Sequence, residues 1–165
     1  MLLLNPKNET FEHLDADSRK LIKNTIQFFE DRGKAKLKAD DHERVWYSEF
    51  IKFVKKEKLF ATFLTPASES AGKTRWDTYR NAQLNEIFGF YGLNYWYTWQ
   101  VSILGLGPIW MSQNEGVRKK TAKLLQDGAI FAFGLSEKEH GADIYSSDMV
   151  LKPEGEGKYT ANGSK

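Results

Sequence analysis

The chain has 165 residues with 24 Lys+Arg against 22 Asp+Glu, and its formal charge of +2 leaves no charge block strong enough for nucleic acid or an anionic membrane. Hydrophobic residues at 41% and charged residues at 28% describe a globular chain and exclude a disordered or collagen-like one. The absence of cysteine removes disulfides, thiolate zinc sites, iron–sulfur clusters and cysteine nucleophiles, and His13, His42 and His140 are too widely spaced for a helical metal-ligand pair.

Residues 1–4 are apolar but follow no basic segment and are too short for a signal peptide. No apolar run approaches the ~18 residues that span a bilayer. A cytoplasmic protein without a membrane span is therefore expected. The sequons at Asn8 and Asn162 read as chance matches.

Asp15 and Asp17 sit where an N-cap belongs, Leu21, Ile22, Ile26 and Phe29 recur at helical spacing, and Gly33 follows as a stop. Residues 34–38 read as a polar linker. A second helix is expected from Asp40-Asp41, with Val45, Trp46, Phe50, Phe53 and Val54 on its apolar face. Residues 59–64 are apolar and ambiguous between helix end and strand. Residues 66–73 form a loop rich in Ser, Ala and Gly. A third helix is expected over 76–91, interrupted near Gly89 and Gly92, and a fourth over 94–104, ending at Gly105-Leu106-Gly107. Pro108 then reads as the first position of a short turn over 108–112. Residues 115–125 form a basic helix, closed by Asp127-Gly128.

The pattern then changes. Ile130 to Leu135 is a short apolar run bounded by turn signals and reads as a buried strand. Residues 136–147 are loop-like. Residues 149–151 and 158–161 read as two more strands with a turn over 153–157. Asn162-Gly163 is a hairpin signal with no return strand after it, so the sequence reads as ending inside a β-domain. The expected organisation is a helical domain over 1–129 and an incomplete β-domain over 130–165.

The most informative segment is Phe131-Ala132-Phe133-Gly134-Leu135-Ser136-Glu137-Lys138-Glu139-His140-Gly141-Ala142-Asp143. It describes a strand opening into a loop with a hydroxyl at its mouth and a glycine permitting close backbone approach to a ligand. The plain alternative is a surface hairpin loop. Alongside stand Leu-Gly-Leu-Gly-Pro-Ile at 104–109 and Gly-Lys-Tyr-Thr-Ala-Asn-Gly-Ser-Lys at 157–165.

In these three segments the chain resembles the acyl-CoA dehydrogenase family, strongly from about residue 90 onward and weakly before residue 60. The family pattern is aromatic-x-hydrophobic-Thr/Ser-Glu-Pro-x-x-Gly-Ser-Asp, matched at Phe133, Leu135, Ser136, Glu137, Gly141 and Asp143. Lys138 stands for the usual Pro, Glu139-His140 for small residues, and Ala142 for the usual Ser. The resemblance implies a mainly α fold: an acyl-CoA dehydrogenase-like helical bundle followed by the first strands of a β-barrel-like domain.

It also implies FAD held between the β-domain and helical domains. Phe133, Leu135 and Ser136 would touch the flavin ring, with Gly141 and Ala142 near the pyrophosphate and Ala142 near the thioester end of the substrate. The reaction implied is α,β-dehydrogenation of an acyl-CoA, with the thioester carbonyl polarised by hydrogen bonds. The family's base is a Glu in a further helical domain. No carboxylate of this chain matches it, so no catalytic residue is assigned. Glu137 reads as a salt-bridge partner within the loop. Electron-transfer flavoprotein or, in an acyl-CoA oxidase, oxygen would be the acceptor, and the family implies a homo-oligomer. Helices of this region line the acyl pocket in the family, so Tyr91, Tyr95, Trp96, Tyr97 and Trp99 are either pocket walls or ordinary core.

Two rivals remain. Ala67-x4-Gly72-Lys73-Thr74 falls one residue short of a phosphate-binding loop, with an apolar run before it and a helix after it. The other is a non-catalytic helical interaction module.

Overall fold

The computed structural model describes residues 5–165, and the apolar start at residues 1–4 lies outside them. The chain divides into a helical unit that ends at Ala132 and a smaller unit, Phe133–Lys165. Among the described residues there are seven α-helices and one two-stranded antiparallel sheet.

In the helical unit α1 is Ala16–Arg32, capped by the Asp15 carboxylate, which accepts the Ser18 N–H at 2.9 Å and the Ser18 hydroxyl at 2.6 Å. Gly33, at φ 74, ends it and starts α2, Lys34–His42. The expected linker at 34–38 is thus helical, and Asp40-Asp41 lies near the end of α2 rather than opening the next helix. Two anchors hold this polar helix. Leu37 is buried, and the buried Asp40 carboxylate meets Arg32 at 2.8 Å and Lys36 at 2.6 Å.

Helix α3 is Ser48–Glu57, leaving Val45 and Trp46 exposed before it. Residues Leu59–Leu64 resolve as a helix, α4, whose buried side chains include Leu59, Phe60, Phe63 and Leu64. Helix α5, Thr78–Tyr91, is capped by Asp77 and runs through Gly89 without interruption.

Helix α6 is Leu93–Met111 and departs most from expectation: it continues through Gly105, Gly107 and Pro108. Tertiary contacts override the breakers. Leu106 is fully buried, and Trp110 Nε1 donates to the Leu64 carbonyl at 3.0 Å, satisfying an acceptor at the end of α4. Helix α7, Glu115–Gln126, is capped by Asn114 and closed at Gly128 (φ 87).

The core is aromatic. Trp99 is fully buried, with ring centroids of Phe60, Phe88 and Phe63 at 5.2, 5.7 and 6.1 Å. Burying one such side chain contributes about 1.5–3 kcal/mol. Tyr91 and Tyr95 belong to the same core, Trp96 is half-buried and bonds Asn85 through Nε1 at 2.9 Å, and Tyr97 alone of the five is exposed.

The expected strand at 130–135 is absent. A strand needs a ladder partner, and the described residues offer none at this position. Ser102 holds Phe131 instead: its hydroxyl accepts the Phe131 N–H at 3.2 Å while donating to the Thr98 carbonyl of its own helix at 3.0 Å.

In the smaller unit, β1 is Val150–Gly155 and β2 is Lys158–Asn162, joined through Glu156 and Gly157. Pro153 sits inside β1 opposite Tyr159, not in the turn, and the register shifts between Pro153 and Gly155. Every residue of both strands is exposed.

Gly105 generates a prediction. A Cβ there would come within 2.5 Å of the Ala132 carbonyl oxygen, whereas a Cβ at Gly89 meets nothing within 4 Å. Alanine raises helix propensity at both sites by about 1 kcal/mol. Gly89→Ala should raise the thermal midpoint, and Gly105→Ala should lower it because the backbone clash costs about 1–3 kcal/mol. Thermal unfolding of both variants checks the opposite signs.

Candidate functional site

The segment that opens the smaller unit carries an apolar, open face. Phe133 and Leu135 are 41% and 42% exposed, and Ser136, Gly141 and Ala142 are exposed as well. The main-chain N–H groups of residues 133–136 meet no acceptor among the described residues. Glu137 and His140 then exchange both N–H to carbonyl bonds at 3.2 Å, closing a tight turn with Ser136 and Gly141 on either side of it. No hydrogen bond among the described residues ties Ser136 to Gly141 or Ala142. A Cβ at Gly141 would meet nothing within 4 Å, so the backbone there is open to a ligand.

The centre of the unit is the Glu137 carboxylate, whose side chain is only 8% exposed. It accepts from Lys165 Nζ at 2.8 Å, from the Ser147 hydroxyl at 2.6 Å, and from the N–H groups of Asp148 at 2.8 Å and Met149 at 3.0 Å. Lys165 Nζ also donates to the Leu135 carbonyl at 2.9 Å and to Ser147 Oγ at 2.7 Å. One ion pair therefore gathers the start of the open segment, the loop before β1 and the stretch after β2. The Lys165 ammonium, then the Ser147 hydroxyl and the Asp148 amide, hold the Glu137 carboxyl down at about 2. A carboxylate so fully engaged is a structural anchor and a poor base.

Sequence reasoning singled out Glu137 as a loop salt-bridge partner but gave Lys165 no role. Opposite charges within the two quoted motifs were the available signal. Also unforeseen is the pairing of His140 Nε2 with Asp148 Oδ2 at 3.0 Å. Glu137, His140 and Asp148 offer ligand atoms within 4.8 Å of one another, yet Glu137 is already filled by its four donors.

The residues present fit a planar, mostly apolar ring rimmed by hydrogen-bond acceptors. Phe133 and Leu135 offer surface, and the free N–H groups and the Ser136 hydroxyl offer donors. The near-miss phosphate loop does not keep its context. The run before it is helix α4, residues Ala67–Glu69 form a 3-10 turn, Thr74 is buried, and α5 begins only at Thr78. Among the described residues no helix is long and apolar enough to cross a membrane. Neither protein-family profiles, nor curated proteins, nor solved structures give a match to this chain.

The Glu137 anchor has a pH signature. Its pKa is depressed from the ordinary 4.5 to about 2, so its contribution is complete above pH 4.5 and is lost as pH falls toward 2. The Asp148 and Met149 amide resonances should move through that window, and Glu137→Gln should remove the transition. Amide NMR spectra against pH check both.

Proposed function

We propose that the chain is part of an FAD-dependent acyl-CoA dehydrogenase-type flavoprotein and that residues 133–142 form one wall of its flavin site. The observation that supports the reading is the Glu137–Lys165 pair at 2.8 Å. The two motif segments were singled out separately, 28 residues apart by 165 − 137, and they join at their charged residues. A plain surface loop has no need of that junction.

The proposed roles follow from the local chemistry. Phe133 and Leu135 supply the apolar face against the flavin ring. Ser136 and the free N–H groups of the segment hydrogen-bond its polar edge. The open backbone at Gly141 and Ala142 admits the pyrophosphate, and Ala142 lies toward the thioester end of the acyl-CoA. Glu137 and Lys165 keep Leu135 and Ser136 in place without contacting either ligand. Bound here, FAD would supply the acceptor for a hydride from the acyl β-carbon in the conversion of an acyl-CoA to the 2,3-enoyl-CoA. The base that takes the α-proton has no counterpart among this chain's assigned residues. Electron-transfer flavoprotein or oxygen as acceptor and homo-oligomeric assembly come with the resemblance and rest on it alone, and a cytoplasmic location is proposed beside them.

Titration of the chain with FAD, followed by flavin fluorescence, tests the reading. Weak but saturable quenching is expected. Ser136→Ala should weaken it by about 2- to 10-fold, the equivalent of one hydrogen bond of about 0.5–1.5 kcal/mol. Leu135→Asp should abolish it while leaving the thermal midpoint of the helical unit unchanged. No saturable quenching, or quenching indifferent to both substitutions, would remove these residues from a flavin site.

A further inference from the structure

We propose a second, separate site: a lysine-walled cleft in the helical unit that binds a pyrophosphate-type anion. The cleft has a volume of about 650 Å³ and is lined by residues of α4, the loop after it and α7. Four lysines, Lys58, Lys73, Lys119 and Lys123, line it. The one carboxylate on its wall, Glu69, is already taken by Arg118 Nε at 2.9 Å and is nearly buried.

Little else neutralises the lysines. Lys58 Nζ donates to the Gln126 carbonyl, a neutral acceptor that leaves the charge in place. Lys119 pairs with Glu115 at 3.3 Å, but both side chains are exposed, and such pairs contribute little. Lys73 and Lys123 have no carboxylate partner among the described residues. A cleft lined by one sign of charge against low-dielectric walls focuses its field and concentrates the counter-ion.

A buried group points the same way. Thr65 lines the cleft, is 1% exposed, and its hydroxyl has no hydrogen-bond partner among the described residues. An unsatisfied buried hydroxyl is costly, and a ligand oxygen would satisfy it where the cleft wall opens to it on binding. Ser70 Oγ accepts from the Thr74 N–H at 3.0 Å and from the Thr74 hydroxyl at 2.6 Å, so the loop that carries Lys73 is held as a fixed wall.

The charge count selects the ligand. The unpaired lysines call for a multiply charged anion, and two linked phosphates present one. The cleft also falls within the roughly 300–1,000 Å³ of small-molecule sites, with room beyond the phosphates. A nucleoside diphosphate and coenzyme A both present this group. The proposal does not rest on the flavin reading.

Calorimetric titration of the full chain with inorganic pyrophosphate, ADP and coenzyme A tests it. One-to-one saturable binding of pyrophosphate is expected, weakened by at least about tenfold in Lys73→Gln/Lys123→Gln. Lys120→Gln, on the same helix but off the cleft wall, should leave it unchanged. Thr65→Val should weaken binding without lowering the thermal midpoint, because it removes a hydroxyl that the fold does not use. ADP binding tighter than coenzyme A assigns a nucleotide, and the reverse assigns the coenzyme. Either supports the site. Absence of saturable pyrophosphate binding, or equal loss in Lys120→Gln, overturns it.

Discussion

A buried guanidinium holds the helical unit together. Arg80, 3% exposed, donates from Nη1 to the Ser18 hydroxyl at 2.9 Å and from Nη2 to the Thr62 carbonyl at 2.7 Å and the Arg75 carbonyl. Its face lies over the Phe63 ring at 4.4 Å. That one side chain fixes α1, α4 and the start of α5 relative to one another. The cap residues of two helices join it: Asp15 and Asp77 both pair with Arg75, at 3.3 and 3.0 Å. Burying a charge is expensive unless its donors are used, and both terminal nitrogens find acceptors while the buried Nε has none among the described residues. The aromatic core around Trp99 then fills the space this arrangement defines.

The smaller unit is organised by the opposite means. Its strands bury nothing, and a lone two-stranded hairpin is marginal in water. Order comes instead from one carboxylate that collects four donors from two stretches of chain, residues 147–149 and Lys165. Hydrogen bonds to a charged group contribute more than neutral ones, which is what allows Glu137 to stand in for a core. The same arrangement leaves the apolar side chains of Phe133 and Leu135 partly exposed.

Elements whose signals are local were legible in the sequence. Helix α1 carries Asp15 as its cap and Gly33 as its stop, α7 carries Gly128 as its stop, and all three act in those roles. Elements decided by distant contacts were not. Residues 34–38 look like a linker until Asp40 finds Arg32, and Gly105 and Pro108 look like a helix end until Leu106 is buried and the half-buried Trp110 bonds the end of α4. Residues 130–135 have strand composition but no partner, and pairing is what defines a strand. At the candidate site, Glu137 was legible as a salt-bridge residue. Its partner Lys165 was not, because opposite charges in two distant motifs do not by themselves name a pair.

The proposed function stands on the exposed segment between Phe133 and Ser136 and on the ion pair that fixes it. The most direct measurement is amide NMR of the isotopically labelled chain with increasing FAD. The account predicts shifts concentrated at residues 133–136 and at Gly141 and Ala142, with the core amides around Trp99 unmoved. Shifts absent from those positions, with changes elsewhere in the chain, would contradict it.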